Sequence, residues 1–223
     1  MRVLPIKLLV MLLLALGPGQ VRAVLLGKAD GSGNTTAPAD DPGWDRVGTV
    51  NGSTGVYLGD GFVLSARHVD AGNFTLGSTT YSLDSGFTPQ YLQTQSGPDM
   101  FADLVIFKIS AAPSMSLMPI YTGSSETGMT GTYIGYGLDR GADVPGQGWL
   151  WGTTPTKRWG QNVIDGTFTV SDGASQTYYE SLVSDFDRVG GPFGTGLANE
   201  SHAATGDSGG ALFVKEGSIW KLA

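Results

Sequence analysis

The hydrophobic positions of the chain fall in short runs separated by turn residues. Two turn dipeptides, Asn51-Gly52 and Asp60-Gly61, separate the first three runs. Such dipeptides between short apolar runs are the strongest local signal for a β-hairpin. The pattern therefore predicts a meander of antiparallel strands. The three runs, rich in β-branched and aromatic residues, cover positions 47–50, 55–58 and 62–65.

Eight more runs of the same kind follow. The run 103–109, with Asp103 at its start, is almost continuously apolar, and such runs are typical of strands buried on both faces. No stretch of ten residues has the periodicity of an amphipathic helix. Many short strands joined by turns indicate an all-β fold, a barrel or a sandwich. The eight runs cover 74–76, 80–83, 103–109, 131–136, 148–153, 163–170, 176–182 and 211–214.

The first 23 residues differ from the rest. Arg2 and Lys7 precede an unbroken apolar run at 8–16, and Ala23 ends the segment. This arrangement is typical of a secretory signal peptide, and the apolar run is too short to cross a bilayer as a helix. We expect cleavage after Ala23, a secreted or periplasmic protein, and no membrane association after the signal has been removed.

Two turn-rich segments divide the remaining chain. The stretch 29–43 is rich in Gly, Pro, Asp and Thr and has no periodicity, and 122–128 (TGSSETG) is polar. Stretches of this composition are typical of loops and linkers. The predicted organisation after the signal peptide is a lead-in, a first β-unit, a linker and a second β-unit, covering 24–46, 47–121, 122–128 and 129–223.

Charge and composition exclude several functions. Without residues 1–23 the chain keeps 10 basic and 20 acidic residues, a net charge of −10, which argues against a nucleic-acid partner. It contains no cysteine and only two histidines, His68 and His202. A disulfide framework, a cysteine-ligated metal and a multi-histidine metal centre are therefore not expected. We predict no metal and no cofactor.

The candidate chemistry starts at Gly206-Asp207-Ser208-Gly209-Gly210. A serine between glycines suits a nucleophile, because a substrate backbone can approach closely and backbone N–H groups are free to face an oxyanion. The segment also matches the G-x-S-x-G elbow of α/β-hydrolases. That fold needs its acid and histidine after the serine, and residues 209–223 contain neither Asp nor His. The α/β-hydrolase interpretation therefore fails.

Two upstream residues complete a catalytic set. His68 follows the predicted strand 62–65, and Asp103 starts the run 103–109. The order His68, Asp103, Ser208 is one of the known chain orders of a Ser-His-Asp triad. The motifs SARHV, DLVIFKI and TGDSGGALF, together with GTYIGYG at 131–137, resemble those of trypsin-like (chymotrypsin-fold) serine proteases. The resemblance is to the secreted bacterial type without disulfides.

This resemblance implies two antiparallel six-stranded β-barrels and a secreted endopeptidase that acts on polypeptide substrates. Ser208 would be the nucleophile, His68 the general base and acid, and Asp103 the residue that orients His68. The backbone N–H groups of Gly206 and Ser208 would form the oxyanion hole. Only 15 residues follow Ser208, so the second barrel would be incomplete at its C-terminus. We expect the native chain to continue past Ala223, and residues 24–223 alone to be poorly active.

The resemblance also implies roles for three further residues. His202 would occupy the primary specificity position, with Thr205 as a second substrate-binding residue, although His202 as a loop residue without a substrate role is an equal alternative. Asp207 would be a structural acid that pairs with a new N-terminal ammonium group, which signal-peptide removal would supply at Val24.

Two other functions stay open at this stage. One is a catalytically inactive trypsin-like fold that acts as a secreted binding or adhesion module. The other is an esterase of another fold, which the order of the triad disfavours.

Overall fold

The computed structural model describes residues 24–27, 31–94, 100–145, 148–187 and 196–223. The predicted signal peptide, residues 1–23, lies outside the described residues. Within them the chain forms fifteen β-strands and one 3-10 turn at Trp44–Arg46, and no α-helix. The all-β class is therefore confirmed. None of the described segments is a helix long and apolar enough to span a membrane.

The strands follow the predicted runs closely in the first half of the chain and less closely in the second. The predicted run 163–170 is wrong as a single strand, because β10 ends at Val163 and β11 begins at Gly166. The break is fixed where the N–H of Asp165 donates to the carbonyl of Val183 at 2.7 Å. The strands are β1 (Leu25–Leu26), β2 (Val47–Val50), β3 (Ser53–Gly59), β4 (Phe62–Ser65), β5 (Phe74–Leu76), β6 (Thr79–Tyr81), β7 (Gln90–Gln93), β8 (Phe101–Lys108), β9 (Thr130–Val144), β10 (Gly148–Val163), β11 (Gly166–Asp172), β12 (Thr177–Val183), β13 (Ser201–His202), β14 (Ala211–Glu216) and β15 (Ile219–Leu222).

Six strands of the first half form a closed ring. Their hydrogen-bonded order is β8-β4-β3-β2-β5-β6, and a bridge between Leu83 and Ile109 joins the end of β6 to the end of β8. This bridge connects the two ends of the strand order, so the six strands surround one interior. Its interior is an apolar cluster of Val50, Tyr57, Val63, Phe74, Val105, Phe107 and Ile109.

Strand β8 differs from its prediction in two ways. It begins at Phe101, two residues before Asp103, so Asp103 lies within the strand and not at its start. Val105 and Phe107 are fully buried, whereas Leu104 is 36% exposed. The prediction of burial on both faces is therefore wrong, because an antiparallel barrel strand turns one face to the core and the other outward.

The second half is built on a four-stranded sheet in the order β10-β9-β14-β15. Its apolar core is shared with the first half, since Val47 and Val56 pack in one cluster with Ile134 and Phe213. The β11–β12 hairpin crosses over, and Thr177 pairs in parallel with Phe101 of β8. The halves are therefore joined by a common core and a common sheet, and the division at 122–128 stays a prediction.

Candidate active site

The structure brings Ser208, His68 and Asp103 into one hydrogen-bonded chain. The Oγ of Ser208 lies 2.6 Å from Nε2 of His68. The Nδ1 of the same ring lies 2.6 Å from Oδ2 of Asp103, and the backbone N–H of His68 donates to Oδ1 of Asp103 at 3.0 Å. Both oxygens of Asp103 are thus used to hold one histidine in one orientation.

Local structure explains why the histidine and the aspartate meet. His68 lies in a tight turn directly after β4, where the N–H of Val69 donates to the carbonyl of Ala66 at 3.1 Å. Strand β4 pairs with β8, with Ser65 opposite Val105, so Asp103 lies beside the turn. The side chains of His68 and Asp103 are 41% and 29% exposed, which leaves the pair open to a molecule arriving from solvent.

We call residues 204–210 the nucleophile loop. Four successive carbonyls in it each accept a hydrogen bond, two from the first half of the chain and two from the second. Because C=O and N–H point in opposite directions across a trans peptide, the bound carbonyls also fix the directions of the following N–H groups. The bonds are Leu138 N to Thr205 O at 2.8 Å, Thr54 Oγ1 to Gly206 O at 2.9 Å, Gly210 N to Asp207 O at 2.5 Å and Thr54 N to Ser208 O at 3.0 Å.

The N–H groups of Gly206 and Ser208 are left free by this arrangement. Neither donates to another residue in the described part of the chain. Each of these N–H groups shares a peptide with the carbonyl of the preceding residue, Thr205 or Asp207. Both of those carbonyls accept their hydrogen bonds from residues of the second half. Two fixed and unpaired N–H groups around a nucleophilic hydroxyl are what is needed to stabilise an oxyanion.

The glycines on either side of Ser208 are required by the backbone. Gly206 has φ +108°, and an added Cβ would lie 2.8 Å from the carbonyl oxygen of Tyr136. Gly209 has φ +76°, and an added Cβ would overlap Ser65 Oγ and Thr54 O. Both positive φ values favour glycine, so these two motif positions hold the shape of the loop.

Asp207 points away from the triad into the protein. Its carboxylate lies against Gly135, where an added Cβ would overlap it. Within the described residues its Oδ1 is buried and has no hydrogen-bond partner. Burial raises the pKa of Asp207 well above its usual range, and the charge of Arg158 opposes the rise.

Arg158 is the cation that faces Asp207. It lies on β10 directly opposite Gly135, and its Nη1 donates to Oδ1 of Asp139 at 2.6 Å. Its Nε is also buried without a partner among the described residues. Asp207 of the loop and Arg158 of β10 therefore both adjoin Gly135, and each keeps one buried atom without a partner among the described residues.

Val24, the predicted mature N-terminus, directly precedes β1, which forms a separate two-stranded sheet with β13. It is 5% exposed, and β1 runs antiparallel to β13 with Leu25 opposite His202. This register directs Val24 toward Ala203 and Ala204. The N–H of Asp207 points to the carbonyl of Ala204 at 3.5 Å, and Ala204 packs in one apolar cluster with Leu25.

The two predicted specificity residues, His202 and Thr205, make contacts outside the triad. The exposed His202 has its Nδ1 2.8 Å from the carbonyl of Ala203, and its ring lies 5.6 Å from that of Phe186. Thr205 contributes its carbonyl to the loop, as described above. Among the described contacts neither side chain touches Ser208 or His68, and their roles toward substrate stay predictions.

Several contacts that shape the site could not be predicted from the sequence. Thr54 and Ser65 are fully buried, and Ser65 Oγ donates to the carbonyl of Thr54 at 2.8 Å. Arg67 stacks on the ring of Phe101 at 4.7 Å and donates to the carbonyl of Ser175 at 3.2 Å. It thereby ties the His68 turn to the β11–β12 hairpin. No pattern signal distinguishes Thr54 from the other threonines of a β-rich chain.

The described residues contain no group of three or more His, Cys, Asp or Glu side chains able to hold a metal ion.

No protein-family model matches the chain, and no curated protein is significantly similar to it in sequence. Solved structures that resemble it include the Rv3671c protease in its inactive form, at 17% identity and a TM-score of 0.46, covering 79% of this chain and 81% of that one. A second Rv3671c structure, from M. tuberculosis H37Rv, matches at 15% identity and a TM-score of 0.44, covering 80% and 78%. The NS6 protease from murine norovirus 1 matches at 16% identity and a TM-score of 0.44, covering 84% and 83%.

Proposed function

We propose that the chain is a secreted serine endopeptidase that hydrolyses peptide bonds through Ser208, His68 and Asp103. The observation that carries the proposal is the continuous chain of 2.6 Å contacts from Ser208 Oγ through the His68 ring to Asp103. An unassisted serine hydroxyl is a weak nucleophile, and a histidine held by a carboxylate is the usual way to activate it.

The reaction starts with transfer of the Ser208 hydroxyl proton to Nε2 of His68 as Oγ attacks the peptide carbonyl carbon. The C–O bond forms, and the carbonyl electron pair moves to oxygen, where the N–H groups of Gly206 and Ser208 receive it. His68 then gives its proton to the leaving amine, and the C–N bond breaks. Asp103 keeps the Nδ1 proton of His68 in place and stabilises the imidazolium.

Water completes the cycle by the same route. His68 takes a proton from a water molecule that attacks the acyl ester, and the oxyanion again faces the two N–H groups. Collapse of the intermediate returns the proton to Ser208 Oγ and releases the carboxylic acid product. Each proposed step uses only the side chains and N–H groups named above, and the proposed mechanism calls for no cofactor.

A fluorophosphonate probe tests the proposal without knowledge of the substrate, because it labels only an activated serine. We expect the wild-type protein to be labelled, and Ser208→Ala and His68→Ala each to slow labelling and peptide hydrolysis by roughly 10⁴-fold or more. Ser78→Ala, a change at an exposed serine in the β5–β6 turn, is the matched control and should react like the wild type.

Two results would contradict the proposal. Labelling of the Ser208→Ala variant at the wild-type rate would place the reactive serine elsewhere. A wild-type protein that folds and stays unlabelled would favour the binding module over the enzyme. N-terminal sequencing of the exported protein tests the secreted part of the proposal, since we expect Val24 as the first residue.

A further inference from the structure

We propose that Thr54 is a positioning residue that sets the geometry of the oxyanion hole from the opposite half of the molecule. The inference rests on the proposed function and goes beyond it, since it names a residue that touches neither the substrate nor the triad side chains. Its role would be to hold the nucleophile loop in the conformation in which the N–H groups of Gly206 and Ser208 stay free.

The contacts of Thr54 are unusual for a barrel residue. It is fully buried on β3, and its backbone N–H donates to the carbonyl of Ser208 at 3.0 Å. Its hydroxyl donates to the carbonyl of Gly206 at 2.9 Å and accepts from the N–H of Tyr136 at 3.0 Å. A single side chain and its own amide thus make three bonds to the second half.

The two carbonyls held by Thr54 bracket the nucleophile. The carbonyl of Gly206 comes directly before the Asp207–Ser208 peptide in the chain, and the carbonyl of Ser208 comes directly after it. The N–H of that peptide is one of the two oxyanion donors. The hydroxyl of Thr54 has both its donor and an acceptor position occupied, which fixes its rotation. Among the described residues, Thr54 is the first-half residue that binds these loop carbonyls.

Thr54 is also linked to β4, the strand that leads into the turn with His68. Its own carbonyl accepts the hydroxyl of Ser65 at 2.8 Å, and Ser65 precedes His68 by three residues. Gly209 packs closely over the same two residues, since an added Cβ would overlap both. Thr54 therefore lies between the histidine turn and the nucleophile loop and couples their positions.

The substitution Thr54→Val keeps the shape of the side chain and removes its hydroxyl. It removes the hydroxyl partner of the Gly206 carbonyl and of the Tyr136 N–H, both partly buried, and groups left without partners tend to rearrange to find new ones. The peptide between Gly206 and Asp207 then loses the bond that fixes its orientation. Thr54→Ser keeps the hydroxyl and loses only a methyl group.

The experiment measures the acylation rate per folded molecule with the fluorophosphonate probe and with the small ester p-nitrophenyl acetate. We expect Thr54→Val to slow both about 10- to 100-fold, less than the ~10²–10³-fold loss on removing an oxyanion donor itself. The loss should fall on kcat with KM nearly unchanged, because the donors act in the transition state. Thr54→Ser should stay within about 3-fold of the wild type, as expected when the hydroxyl is retained.

A buried threonine outside the loop provides the matched control. Thr132 on β9 is 2% exposed, and Thr132→Val should change the melting temperature without slowing acylation. If Thr54→Val does not fold, Thr54→Cys takes its place, because a thiol of similar size is only a weak donor. We then expect the Cys variant to acylate more slowly than the Ser variant.

Failure of this inference is distinguishable from failure of the proposed function. A wild-type protein that is not labelled contradicts the enzyme itself. A labelled wild type together with a folded Thr54→Val, or Thr54→Cys, variant that acylates at the wild-type rate overturns the role of Thr54 and leaves the enzyme standing. Equal slowing of the Thr54→Ser and Thr54→Val variants also overturns it, since the hydroxyl would then not matter.

Discussion

Two aspartates next to the nucleophile have opposite surroundings. Asp103 is 29% exposed at its side chain and receives two hydrogen bonds from His68. Asp207 is buried against Gly135, and its Oδ1 has no partner among the described residues. The Asp103 carboxylate is partly exposed, and both of its oxygens accept hydrogen bonds. The Asp207 carboxylate is buried, and one of its oxygens has no partner among the described residues. The first carboxylate can stay charged in contact with solvent, whereas the second stays charged only if a cation compensates for its burial.

The physical cost differs accordingly. A buried carboxylate without a paired cation is penalised by several kcal/mol, because water no longer stabilises its charge. The direction of the pKa change reflects this, since burial raises the pKa of Asp207 and Arg158 only partly opposes it. Because Asp207 directly precedes Ser208, whatever supplies the missing charge also stabilises the nucleophile loop.

The largest expected effect comes from neutralising the exposed acid. Asp103→Asn should lower the acylation rate by about 10³- to 10⁴-fold, because an amide does not stabilise the imidazolium and favours the wrong tautomer of His68. The melting temperature should change little, since the side chain is partly solvated and the amide oxygen can still accept the N–H of His68. Probe labelling and a thermal melt measure both quantities. A rate loss below tenfold would show that Asp103 does not orient the base.

A smaller effect is expected from the N-terminus. If residues 1–23 are removed, as predicted, an α-ammonium group forms at Val24, which is buried and precedes Leu25, whose side chain packs with Ala204 of the nucleophile loop. A protein that begins at Val24 should be more stable than one that retains Ala23, by up to the ~3–5 kcal/mol that an uncompensated buried charge costs. Its melting temperature would be higher by about 2–4 °C per kcal/mol, and its acylation faster.

Arg158 is the competing cation and provides the control. If the two proteins melt and acylate alike, Val24 is not the partner of Asp207, and the Nε of Arg158 becomes the candidate. Arg158→Gln should then destabilise both proteins equally. If Val24 is the partner, Arg158→Gln should destabilise the Ala23-retaining protein more, because that protein has no other cation to offset Asp207.

The contrast between the two acids also shows what the sequence could reveal. His68, Asp103 and Ser208 lie in three recognisable motifs whose order suggested a triad, and the structure brings their side chains together, while their catalytic roles stay predictions. The strand runs 47–50 and 62–65 were predicted with the correct bounds, because each is a short apolar run next to an Asn-Gly or Asp-Gly turn. Local signals were sufficient wherever the determinant of structure was itself local.

The parts that could not be predicted depend on contacts between distant segments. Thr54 reaches the nucleophile loop across 152 positions, and nothing next to it in the chain marks it. The burial of β8 was predicted wrongly, because an apolar run does not show that Leu104 faces outward from a closed barrel. The β11–β12 hairpin likewise contacts β8 through residues distant in sequence. Arg67 donates to the carbonyl of Ser175, and the N–H of Phe101 donates to the carbonyl of Gln176.

The smallest effect is a pH dependence that belongs to Asp207 alone. In the Ala23-retaining protein its folded pKa is raised above the unfolded value of about 4, so the folded state binds more protons than the unfolded state between these two values. The stability contributed by the protonated acid is fully present below about pH 4 and is lost as the pH rises through the folded pKa, at up to ~1.4 kcal/mol per pH unit.

Asp207→Asn removes this titration, so the melting temperature of the Asn variant minus that of the wild type should increase from pH 4 to pH 7. In the protein that begins at Val24 the increase should shrink or reverse, because the ammonium favours the charged carboxylate. A difference that stays constant with pH in the Ala23-retaining protein would show that Asp207 is already compensated there, and the contrast with Asp103 would be lost.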